Sequence, residues 1–145
     1  MALTPTTIFY MLLGLATIVP VFWLNRDLFA RASMSGVEVV YYVTALAALF
    51  VGWYFNIAYM NRYGADAGWW HWTKLLFVNP ASASGGQDLI FANVILFPLW
   101  TIIDGRRIGM RASWWYFVMS LVTSFAFAMA LFLAVRDRQL RAAAA

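Results

Sequence analysis

There is no cysteine in this chain, which excludes disulfides, thiolate metal sites, thiol redox chemistry and S-acylation. Histidine occurs once, as His71, so a metal site built from several imidazoles is impossible. Charge is scarce too. Asp, Glu, Lys and Arg make up 11% of the 145 residues, where a soluble domain carries about a quarter. A chain this poor in charge lacks the polar surface to stay in water. The N-terminus has no positively charged region before its first apolar run and no A-x-A-like site after it, so that run is expected to stay as a span. The chain also lacks a nucleotide-binding loop, a zinc-protease motif and a catalytic triad.

What is present is apolar and aromatic. Hydrophobic residues are 64% and aromatics 19% of the chain, and mean hydropathy is +0.74. The class is membrane, with room for one domain over 1–145. The net charge of +4 sits in clusters that flank apolar runs, where anchoring and orientation account for it and nucleic acid is not an expected partner. The expected fold class is all-α and integral to the membrane. Four transmembrane helices, at about 8–24, 37–60, 88–103 and 114–135, would form a small antiparallel bundle with one short interfacial helix.

The first span, Ile8 to Leu24, carries no charge and should bend near Pro20. The second opens with Glu38, suited to the positive end of a helix, and offers a seam of Ala45, Ala48 and Gly52 for close packing. The W-W-H-W stretch, from Trp69 through Phe77, reads as a helix on the membrane surface. Asn79-Pro80 reads as a turn, and Asp88 as the residue that opens and caps the third span. Pro98 should interrupt that span, which also carries Asn93 at membrane depth. In the fourth, Ser120, Ser124 and Ala128 lie on one face and Ala126, Ala130 and Ala134 on the other. Four spans divide the basic residues evenly between the two sides. The tight Arg106-Arg107 cluster then tips the expectation toward cytoplasmic arginine loops, with the W-W-H-W loop and both termini outside.

Residues Asn79-Pro80-Ala81-Ser82, Asp88-Leu89, Asp104-Gly105-Arg106-Arg107-Ile108-Gly109-Met110 and Arg136-Asp137-Arg138 together form a recognisable pattern. It resembles a family of short bacterial inner-membrane proteins of unknown function. The resemblance covers roughly 77–138 plus a first span ending in proline, and treats Val37–Trp72 as an addition. It implies a multi-pass protein of the bacterial inner (plasma) membrane and no particular activity.

Several residues invite a chemical reading. Asp88 and Asp104 are about 24 Å apart along one helix, and Glu38 and Asp88 should lie at opposite faces, so Asp88 can form an acid–base pair with neither. Asp104 is expected to pair with Arg106 or Arg107. His71 could ligate a haem iron or a chlorophyll magnesium; the plainer alternative is an interfacial histidine bonded to headgroups or backbone. Asp88, Asn93, Asn56, Trp53, Trp72 and His71 are the candidates for holding a lipophilic small molecule such as an isoprenoid, quinone, sterol-like molecule or pigment. No cofactor can be named. The leading expectation is a non-catalytic accessory subunit or binding module, partnered by membrane lipids, a larger membrane complex or further copies of itself. The competing one is an enzyme that isomerises or cyclises a lipid-like substrate with Asp88 as acid or base.

Overall fold

The computed structural model describes residues 3–31 and 33–144, and every regular element among them is helical. The first apolar segment is two helices, α1 (Pro5–Ala16) and α2 (Ile18–Leu24). Thr4 caps α1 by accepting from the Thr7 amide, and Pro5 occupies the first turn, where its missing N–H costs nothing. Pro20 cannot donate to the carbonyl of Ala16, and the helix breaks at Thr17. The Thr17 hydroxyl donates to the Gly14 carbonyl at 2.6 Å, and its own carbonyl accepts from the Trp115 indole at 2.7 Å. The interruption falls one turn before Pro20, where the sequence led one to expect a bend. The short helix α3 (Arg26–Arg31) follows.

Helix α4 runs from Gly36 to Tyr63, capped by the Ser35 hydroxyl, which accepts from the Glu38 amide. A turn of 3-10 helix at Gly64–Asp66 leads to α5 (Trp69–Leu75), the expected short aromatic helix. The third long segment is continuous from Pro80 to Arg107: α6 (Pro80–Ile90), a π-helical turn (Phe91–Leu96) and α7 (Phe97–Arg107). It starts two turns before the expected Asp88. Asn79-Pro80 is therefore not a plain turn. The Asn79 carboxamide accepts from the Ser82 amide and Pro80 takes the first helical position, so the pair starts a helix. Pro98 does not break the segment. The helix widens ahead of it instead, with the Phe97 amide reaching the carbonyl of Ala92.

Three helical segments are long and apolar enough to cross a membrane: Pro5–Leu24, Gly36–Asp66 and Pro80–Arg107. The expected fourth span at 114–135 is not one helix. Helix α8 (Trp115–Val122) ends at Thr123, whose φ of −117° and ψ of −98° leave the helical region, and α9 (Phe125–Ala144) starts afresh. The Tyr116 and Phe132 rings lie 5.3 Å apart. Along a continuous helix they would be about 24 Å apart. The chain thus doubles back at Thr123-Ser124, with the Thr123 hydroxyl closing α8 on the Met119 carbonyl and the Ser124 hydroxyl capping α9 at Phe127.

Helix α9 is the centre of the bundle. Phe127, Ala128, Ala130, Leu131, Phe132, Ala134 and Val135 are buried on all its sides, as expected for a helix enclosed by others. It packs antiparallel to α4, with Ala45 and Leu49 buried and Gly52 facing Ser124, so the anticipated small-residue seam is the contact face. Since there is little hydrophobic driving force between helices in lipid, these close van der Waals contacts carry the packing. The hairpin has a consequence for topology. Arg138 reaches the Phe29 carbonyl, Arg141 the Ser33 carbonyl and Arg136 the Asp104 carboxylate. The end of α9 therefore shares one end of the bundle with both short arginine loops, not the opposite end as four spans required. Thr7 meets Met60 at the other end, beside α5.

Candidate functional site

The arginine-rich end gathers most of the chain's ionic chemistry. Glu38, in the first turn of α4, is completely buried. Helix α9 presents Arg138 and Arg141 to it from one face, three residues apart. Arg138 donates to Glu38 Oε1 at 2.7 Å, and Arg141 to Oε2 at 2.6 Å. The Arg138 guanidinium also lies 4.5 Å over the Phe29 ring, a cation–π contact in a desolvated place. Ser35 donates to Asp137 at 2.8 Å, and Arg141 donates to the same carboxylate oxygen at 2.9 Å. Burial alone would raise the Asp137 pKa; the hydrogen bonds from Arg141 and Ser35, with the charges of Arg141 and Arg136, outweigh it and hold the carboxyl below its ordinary range.

A second pair adjoins this one. Asp104, at the end of α7, is 8% exposed and accepts from Arg136 at 2.5 Å. Arg107 stands at 3.8 Å, while Arg106 is exposed. The expected Arg107 contact is present but secondary, and Arg106 does not supply one. The dominant partner comes from α9, 32 residues further along the chain. Each of these buried carboxylates accepts from guanidinium groups of α9, so each fastens its own helix to the centre of the bundle.

The G-R-R-I-G-M motif proves to be a helix stop. The Met110 amide bonds the Gly105 carbonyl at 2.8 Å and the Gly109 amide the Arg106 carbonyl at 3.2 Å, with Gly109 at φ 75°. This is the Schellman arrangement, in which Gly109 takes the left-handed position and Met110 packs inward. Gly105 has no room for a Cβ, because Ser113 lies directly against it. Those three residues hold the loop closed, so the motif's first role is structural.

The residues expected to hold a lipophilic molecule are not brought into one pocket. Asp88 sits on the exposed side of α6, accepting from the neighbouring Gln87 at 2.5 Å; Asn79, not Asp88, caps that helix. Asn93, on the π-helical turn, accepts from Ser120 at 2.8 Å and so ties the third segment to α8. Trp53 packs on the core edge, 6.0 Å from Phe50, and Asn56 is exposed on α4. Trp72 is half-buried on α5. His71 lies between the Tyr59 and Tyr63 rings, at 5.8 and 4.5 Å, with its Nδ1 at 3.0 Å from the Tyr59 hydroxyl. That hydroxyl also bonds both the amide and the carbonyl of Gly68, so His71 fastens α5 to α4. A cleft between α2 and the start of α8, lined by Pro20, Asn25, Arg111 and Trp115, contains none of these residues and has no room for one water molecule. Among the described residues no group of three or more carboxylates or histidines could hold a metal ion.

Sequence reasoning missed the Glu38–Arg138–Arg141 cluster. Its signal was present: a lone glutamate at a span's start, and two arginines spaced to share one helix face near the C-terminus. What hid it was the direction of α9. A chain read as crossing the membrane at 114–135 puts Arg138 on the far side from Glu38. One more buried group went unnoticed, the hydroxyl of Tyr116, which has no hydrogen-bond partner among the described residues.

No curated protein and no solved structure matches the chain. One family model does, and it starts at residue 40, so most of the region expected to be an addition (37–72) lies within the match. It extends over α4, α5, the third long segment and the α8–α9 hairpin as far as Arg138. On a match of residues 40–138, well over half its length, the chain belongs to the family described as protein of unknown function DUF2834.

Proposed function

We propose that this protein is a non-catalytic membrane module, an accessory subunit or binding module that works through its surfaces rather than through a reaction centre. One observation carries this reading: Glu38, Asp104 and Asp137, the carboxylates gathered in the bundle, are each bound to guanidinium groups. Groups committed in this way anchor helices and do not cycle protons. The lipid-facing residues of the long segments, such as Phe50, Phe55, Phe91 and Leu96, remain exposed and available to lipids or a neighbouring span. Gentle purification, with co-eluting proteins, lipids and pigments identified by mass spectrometry and absorbance, tests it. Recovery of a stoichiometric partner supports the reading. A purified chain that converts a lipid on its own overturns it.

A second reading keeps one observation on its side. Asp88 forms no ion pair among the described residues, so it is a carboxylate on a long apolar segment that remains available for acid–base chemistry. If Asp88→Asn left folding and partner recovery intact but stopped a lipid conversion, that enzymatic reading would replace the first.

The reading also includes an orientation. Arg26, Arg31, Arg106, Arg107, Arg111, Arg136, Arg138 and Arg141 belong to one end of the bundle, and Arg62 and Lys74 to the other. Eight of the ten basic residues on one side leave no tie, and the arginine end belongs in the cytoplasm. The C-terminus goes with it. A reporter fused after Ala144 that is active only in the cytoplasm should be active; a silent fusion reverses the orientation.

A further inference from the structure

The charge of this molecule is distributed in three tiers. At the end holding α5, Arg62 and Lys74 are balanced by Asp66 and Asp88. In the ionic layer, Arg136, Arg138 and Arg141 are balanced by Glu38, Asp104 and Asp137. Five arginines remain, at 26, 31, 106, 107 and 111, against a single acid, Asp27. The whole formal net charge of +4 therefore belongs to this third set. All five are exposed. The side chains of Arg26, Arg107 and Arg111 are 73%, 77% and 64% accessible, while Arg138 in the layer above is 6% accessible.

Their placement is specific. Arg111 donates to the Leu24 carbonyl at 3.0 Å and lies 3.5 Å from Asp27, so the α7–α8 loop and the α2–α3 junction form one continuous rim. Exposed apolar residues border it: Trp23 beside Arg26, Ile103 one turn before Arg107, and Trp114 three residues after Arg111. Guanidiniums next to lipid-facing tryptophans mark the depth of the headgroups. The loops are short and tied down by the Gly105–Met110 stop, so the rim stays at that depth.

We propose that this rim is a binding surface for the phosphates of anionic phospholipids in the leaflet it faces. Planar guanidiniums pair with phosphate oxygens through two parallel N–H bonds, and several in one plane at headgroup depth meet a sheet of phosphates. A soluble acidic protein would be a poorer fit, since the exposed Trp23, Ile103 and Trp114 beside the guanidiniums call for an apolar partner next to the phosphates.

The test uses the full chain in nanodiscs of phosphatidylcholine containing about a third phosphatidylglycerol, a mixture anionic enough to give a strong surface potential. Native mass spectrometry of the released protein reads the ratio of the two lipids retained. Wild type should retain phosphatidylglycerol several-fold above its share of the disc, and the excess should shrink as salt rises. Arg26→Gln, Arg106→Gln, Arg107→Gln and Arg111→Gln combined should bring the ratio back to that of the disc. The corresponding four-lysine variant keeps the charge and should keep most of the preference, which separates lipid binding from a folding defect in the glutamine variant. A wild-type ratio equal to the disc's, or an excess indifferent to salt, overturns the proposal. An excess surviving in a folded glutamine variant overturns it equally.

Discussion

The two ends of this bundle are held by different chemistry. At the arginine end, elements far apart in the chain are locked by ion pairs to buried carboxylates: Glu38 on α4 with Arg138 and Arg141 on α9, 100 and 103 residues on, and Asp104 on α7 with Arg136, 32 residues on. At the other end, the fastening is local and aromatic. Tyr59 and Tyr63 on α4 hold His71 only a dozen residues further on. The contrast follows from where the hairpin reaches. Helix α9 turns back at Ser124, opposite Gly52, so it passes the first half of α4 and leaves the second half to α1 and α5. The first half has a central helix to pair with. The second half has one contact from far along the chain, Thr7 with Met60, and otherwise its sequence neighbour α5.

If that contrast is right, the largest loss should come from Glu38→Ala. It strands Arg138, 5% exposed, beside Arg141 in a water-poor layer. Breaking a buried pair from one side costs about 3–5 kcal/mol, enough to unfold a marginal protein. Unfolding in mild detergent, followed by tryptophan fluorescence, measures it; a loss below about 1 kcal/mol would place the pair in the class of exposed, screened ones.

Acid should reach the arginine end through Asp137. Its pKa in the folded protein lies below the ordinary 3.8. A carboxylate of that kind adds stability at any pH above its unfolded value and loses it as pH falls through the folded one. Thermal stability should therefore hold steady near neutrality and decline on the acid side of the ordinary value. Asp137→Asn should flatten that decline, and an unchanged acid limb in the variant would remove Asp137 from the account.

A smaller effect is expected at the aromatic end. His71→Ala deletes one hydrogen bond and two ring contacts, about 1–2 kcal/mol in all, and loosens α5 without unfolding the bundle. Amide exchange should rise over 69–75 while the α4–α9 contact stays protected. The same variant addresses the pigment idea: colour present in wild type and bleached by His71→Ala would show that the histidine ligates a macrocycle after all.

The smallest change should be Tyr116→Phe. The ring is buried against Phe132 and its hydroxyl has no partner among the described residues, so removing one oxygen discards an unsatisfied polar group. Stability should stay level or rise by about 1 kcal/mol. A clear loss would reveal a hidden partner for that hydroxyl at the arginine end.

Much of this architecture was legible in the residues. Three long apolar runs, the bend near Pro20, the Ala45–Gly52 seam, the aromatic helix at 69–75 and the membrane class all follow from composition, spacing and the preferences of proline and tryptophan. These are local properties, decided by each residue's own backbone and its transfer out of water. The start of the third segment was legible in principle, since Asn79-Pro80 is a helix start as well as a turn signal; the apolar run beginning at Leu89 drew attention away from it. Asp88 was singled out because it is a carboxylate on an apolar segment, but its burial and partners depend on what stands opposite.

The reversal at Thr123-Ser124 was another matter. It uses neither glycine nor proline, only two hydroxyls that can close one helix and open the next, in a run as apolar as a span. Local preference leaves such a run free to continue or to turn. Tertiary packing decided it, because turning lets α9 bury apolar residues on all sides and carries Arg136, Arg138 and Arg141 back to Asp104 and Glu38. By itself, the sequence determined that three segments can cross a membrane and where they bend, since helix length and apolarity are summed along the chain. Which carboxylate meets which arginine, and which end of the molecule holds its charge, was decided only in three dimensions, because ion pairing depends on distance through space and the hairpin sets that distance.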